Sequence, residues 1–172
     1  MASLVDELIH VLREETRLYC ALEECADEKT QMLVRADVPA LEQLTIIEQA
    51  RSDELLALSN KQVQVLNDIK TVLGRADEKL TVTTLIGYLA SQPLVQEKLT
   101  IARDDLIAAA KRVQDKNQQN VILLHHAIEM TEFDITLFKS MRQAPETANY
   151  DKNAYNTGTI LGTSGFDAKQ YH

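Results

Sequence analysis

Near the start of the chain, five pairs of adjacent apolar residues recur every seven positions: Leu4-Val5, Val11-Leu12, Leu18-Tyr19, Cys25-Ala26 and Met32-Leu33. Seven residues are close to two turns of an α-helix, so the pairs stack into one wide stripe with Glu, Arg, Asp and Lys around the rest. A helix over residues 3–34 follows, with Ser3 as its expected N-cap and Asp6 and Glu7 in the first turn, where the helix dipole favours negative charge. Such a stripe is buried only against further helices.

The remaining segments supply them. Arg35-Ala36-Asp37-Val38-Pro39 reads as a turn in which Asp37 caps the next helix and proline occupies a first turn that needs no N–H. That second helix spans residues 38–73 and stops at Gly74, a left-handed terminator. Its stripe is Leu41, Leu44, Ile47, Leu55, Leu58, Val65, Ile69 and Val72, interrupted by a polar run at 50–54, where packing is expected to be weaker. After a polar loop comes a short helix over 82–90, capped by Thr81 or a neighbouring threonine. A long helix over 93–141 follows, with no internal Gly or Pro. Its stripe is Val95, Leu99, Ala102, Leu106, Ala109 and Val113, then a polar patch at 114–120, then Leu124, Ile128, Ile135 and Phe138. The patch is expected to be structural, with Asn117 and Asn120 fixing register across the bundle seam, and a hinge or partner contact is the alternative.

Scarcity agrees with this reading: 5 Gly, 3 Pro, no Trp and 5% aromatics in 172 residues leave few turns and an aliphatic core. The fold class is therefore all-α, an antiparallel helical bundle or coiled coil of three long helices plus one short helix, with a mostly irregular C-terminal tail. Residues 1–142 form the bundle domain. Residues 143–172, rich in Gly, Asn and Thr, have too little apolar surface to order themselves, yet they space Tyr150, Tyr155, Ile160, Leu161, Phe166 and Tyr171 along the tail like hooks.

Helix lengths carry functional information. At 1.5 Å per residue the first two helices are roughly 50 Å long and the last roughly 70 Å. The short helix covers about 12 Å more. Part of the last helix's stripe is left to a partner, to the tail, or to a second copy of the chain, so homo-oligomerisation stays open. Leu124, Ile128, Ile135 and Phe138, with Tyr150 and Tyr155 of the tail, are the expected partner-binding residues.

Catalytic and metal chemistry find little support. Glu7-Leu8-Ile9-His10 fits one Glu-x-x-His unit of a di-iron bundle, but Ile122 and Leu123 stand where a second would need its Glu. His125 and His126 point about 100° apart and cannot chelate one metal as an i, i+4 pair would. A histidine phosphotransfer bundle is disfavoured because Glu129 follows His126 where an acid would repel phosphate. No catalytic residue, cofactor or metal is expected. The net charge of −8 argues against nucleic acid or anionic lipid as partner. No apolar run approaches a membrane span, and the N-terminus lacks a secretory pattern. Cys20 and Cys25 lie about 140° apart on one helix, unable to bridge, and are expected to be small buried hydrophobes in a reducing cytoplasm.

The segments resemble the FlgN-type flagellar export chaperones. Arg35-Ala36-Asp37-Val38-Pro39-Ala40-Leu41-Glu42-Gln43-Leu44-Thr45 looks like that family's turn into its second helix. Asn117-Gln118-Gln119-Asn120-Val121-Ile122-Leu123 is similar to its Asn-x-x-Asn segment. Tyr150-Asp151-Lys152 and Phe166-Asp167-Ala168-Lys169 resemble its tail motif, although no Gly follows Lys169. The resemblance implies a cytosolic chaperone of type III secretion that binds the C-terminal helices of hook-associated, hook–filament junction proteins and delivers them to an export-gate component. A coiled-coil adaptor or chaperone of another secretion system is the alternative.

Overall fold

The computed structural model describes residues 2–75 and 79–142. Four helices account for nearly all of them: α1 (Ala2–Arg35), α2 (Val38–Val72), α3 (Val82–Tyr88) and α4 (Pro93–Arg142), with no strand among the described residues. The chain is an all-α bundle, as its periodicity dictates. By compactness it divides into Met1–Met130 and Thr131–His172, so α4 begins in the first unit and ends in the second.

Local chemistry sets the helix ends. α1 finishes in a turn in which the Asp37 N–H bonds the Met32 carbonyl and the Ala36 N–H bonds that of Leu33, with Ala36 left-handed at φ 54°. Glycine usually takes that place, because a Cβ there meets the following carbonyl. The Asp37 carboxylate then accepts from the Ala40 N–H at 3.1 Å, with proline in the opening turn of α2. α2 closes in the same way: Arg75 N–H reaches the Lys70 carbonyl, Gly74 N–H reaches that of Thr71, and Gly74 has φ 67°. Thr81 and Thr84 cap α3 reciprocally, each hydroxyl accepting from the other residue's N–H. At the chain start the expectation fails: α1 begins at Ala2, so Ser3 lies within the helix and does not cap it.

In the first unit, the buried core gathers at the end where α1 starts and α2 finishes. Val5, Leu8, Ile9 and Leu12 of α1 meet Val65 and Ile69 of α2, Leu85 of α3 with Leu89 just after it, and Leu99 and Ala102 of α4. α2 runs antiparallel to α1, tied at one end by Lys61–Glu7 at 3.1 Å and at the other by Lys29–Glu48. α4 runs parallel to α1, in a register of 89–90 residues: Arg112 pairs with Glu23 at 2.9 Å, Lys116 with Asp27, and Asn120 with Thr30 at 2.6 Å.

Two burial expectations need correction. Ile47 and Val72 belong to the α2 stripe by spacing yet are exposed. By spacing they share a side of α2 with Val65, but Val65 belongs to the buried cluster that residues of α3 and the start of α4 complete, and neither Ile47 nor Val72 does. Cys20 is exposed and only Cys25 is buried. Cys25 sits in the α1–α2 seam, where burial pushes its thiol pKa up and the Arg51 guanidinium pulls it down.

Candidate partner-binding surface

The polar interruptions of α2 and α4 face each other across α1. Arg51 folds inward to donate to the Ala21 carbonyl and to Cys25 Sγ. This satisfies a cation in a seam where an apolar residue would otherwise pack. On the other side Asn120, only 3% exposed, donates through Nδ2 to the Ala26 carbonyl at 2.7 Å and accepts from Thr30 Oγ1. Two bonds to one turn of α1 hold α4 in register, the role expected of this patch. Asn117 takes no part in that lock; it is exposed and lines a groove.

The groove, about 360 Å³, opens between α2 and α4 with α1 as its floor. Leu22, Val113, Val121 and Leu124 give it apolar walls, while Thr45, Gln49, Ser52 and Asn117 give it a polar rim. The Lys29–Glu48 pair sits inside and neutralises itself. Ser52, within the polar run at 50–54, lies on the groove's rim.

Beyond this point α4 loses its cover. The register with α1 carries Arg35, the last residue of α1, level with His125. From residues 125 to 130 none is buried, and Ile128 is 48% exposed. In the second unit every described residue is exposed, including Ile135 and Phe138, the latter at 68%. Of the sequence-predicted residues, Leu124 and Ile128 lie on the first unit's part of α4, and Ile135 and Phe138 on the second's. Tyr150 and Tyr155 lie outside the described residues. The stripe reading missed other large apolar side chains that are equally open: Val121, Ile122, Met130, Phe133, Leu137 and Met141 on α4, with Ile46 and Leu56 on α2. Their signal was apolar identity off the main stripe.

Glu7 bonds Lys61, His10 is exposed, and His126 Nδ1 lies 3.5 Å from Glu129 Oε2 one turn on. No group of three or more His, Cys, Asp or Glu side chains is placed to hold a metal ion among the described residues, and no described helix is long and apolar enough to cross a membrane. The arrangement offers exposed apolar side chains on α4 and, in the first unit, a groove with a hydrogen-bonding rim.

The profile of the FlgN protein family matches residues 1–158. The chain belongs to the FlgN family. Family membership makes it a flagellar export chaperone in general terms, one that binds flagellar proteins. No curated protein and no solved structure matches it.

Proposed function

We propose that this FlgN-family chain binds the C-terminal helices of hook–filament junction proteins on the exposed apolar side of α4 and carries them, in the bacterial cytoplasm, to a component of the export gate. It acts by binding and performs no catalysis. The observation that supports this reading is the uncovered run of large apolar side chains from Leu124 onward. An amphipathic helix laid into such a surface buries apolar area on both partners. Within the same proposal, Tyr150 and Tyr155 belong to an arm, residues 143–172, that closes over the bound client. Burying one such side chain contributes roughly 1.5–3 kcal/mol, enough to offset the ordering of a few neighbouring residues.

Isothermal titration with a junction-protein C-terminal helix tests it. Ile128→Asp should abolish the binding heat while circular dichroism keeps its full helical signal, and deleting residues 145–172 should weaken binding. A folded Ile128→Asp protein that binds at full strength refutes the surface, and an unfolded one shows that Ile128 belongs to the core. Recovery of a client from another secretion system, and no junction protein, would favour the adaptor reading.

A further inference from the structure

Beside the apolar side chains assigned to the client, the C-terminal part of α4 carries a charge pattern that the client reading does not use. From Ile128 the helix follows a strict alternation of three and four residues, Ile128, Thr131, Ile135, Phe138 and Arg142, which are the a and d positions of a heptad repeat. Within the second unit the positions flanking this seam are Glu132 and Lys139 on one side and Asp134 and Met141 on the other, all exposed. In an antiparallel helix pair, a faces d, and each flank meets the same flank of its partner. Setting Ile135 against Phe138 of a second copy, and by symmetry Phe138 against Ile135, places Glu132 opposite Lys139 twice over. Thr131 then faces Arg142, and Asp134 faces Met141, so no like charges meet. A two-fold interface must be complementary to itself, and this twelve-residue segment is. The opposite side of the helix also exposes Phe133 and Leu137. Its flanks, Asp134 with Met141 and Thr136, contain no oppositely charged pair.

We propose that the C-terminal end of α4 pairs antiparallel with the same segment of a second copy of this chain, through Ile135 and Phe138, with two Glu132–Lys139 pairs setting the register. The seam is short, so the dimer is weak and forms in the micromolar to millimolar range. The inference does not depend on the client assignment. If both hold, client and second copy compete for Ile135 and Phe138.

Light scattering on the full chain after size exclusion, with no client present, tests it from low micromolar to millimolar concentration. The mass should rise from 19.3 kDa toward twice that value. Glu132→Lys and Lys139→Glu should each weaken dimerisation about tenfold, since two attractive pairs become two repulsive ones at a few tenths of a kcal/mol each. The double exchange should restore it, and a structural defect would not be repaired in this way. A single-chain mass at every concentration overturns the proposal, as does a double exchange that fails to restore. A dimer insensitive to Glu132→Lys but lost on Asp134→Lys would be parallel, which also overturns it.

Discussion

Glu15 lies on the apolar stripe of α1, 3% exposed, and its Oε2 has no hydrogen-bond partner among the described residues, so replacing it by glutamine separates the cost of its charge from its shape. Burial raises its pKa from 4.5 to about 7. The unfolded chain exposes an ordinary carboxyl, which ionises first as pH rises. Stability from the protonated group is therefore fully present below pH 4.5 and is lost as pH climbs through about 7. At 1.36 kcal/mol per unit the loss approaches about 3 kcal/mol above neutrality. Glu15→Gln does not ionise and keeps the side chain's size. Urea unfolding of both proteins from pH 4 to 9 should show the variant gaining on the wild type across this window, by up to about 3 kcal/mol, with the gain level at either end. Subtracting the two curves removes the titration of the other carboxylates. A difference that does not change with pH would refute the reasoning, because it would mean that Glu15 is solvated or paired in the folded protein.

Asn120→Ala should cost about 2 kcal/mol, by removing two bonds to α1 and leaving a small void, whereas exposed Asn117→Ala should stay within about 0.5 kcal/mol; thermal unfolding compares them directly. Ala36→Gly should stabilise by up to about 1 kcal/mol, since it relieves a left-handed alanine that already sits in a glycine-type helix stop. A lower melting temperature for that variant would show that Ala36 is not strained.

The legible parts of the fold were those decided within a few residues. Asp37, Gly74 and Thr81 mark helix ends through bonds to their own neighbours, so sequence suffices to place them. Burial of Ile47, Val72 and Cys20 depends on which flank of a helix a distant element covers, and periodicity does not encode that. Glu15 was hidden for a different reason. It follows Val11 by four and precedes Leu18 by three, which is a core position by spacing, but its identity reads as surface. On the candidate surface, the exposure of Ile128 was legible because, within the first unit, α4 runs on past the level at which α1 ends. The chemistry of a covering surface is not encoded in the spacing of Ile128, Ile135 and Phe138.

The parallel register of α1 and α4 also bears on how the protein assembles. α1 and α2 meet through a turn of a few residues and can pair early, whereas every α1–α4 contact closes a loop of about ninety residues and must wait for α2 and α3 to bring the chain back. The beginning of α4 is rewarded by Leu99 and Ala102 in the shared core, but from Ala109 to Asn120 its burial rests on Ala109, Val113 and Asn120, with exposed ion pairs alongside. α4 thus closes the longest loop in the first unit, and from Ala109 to Asn120 few of its side chains are buried in compensation.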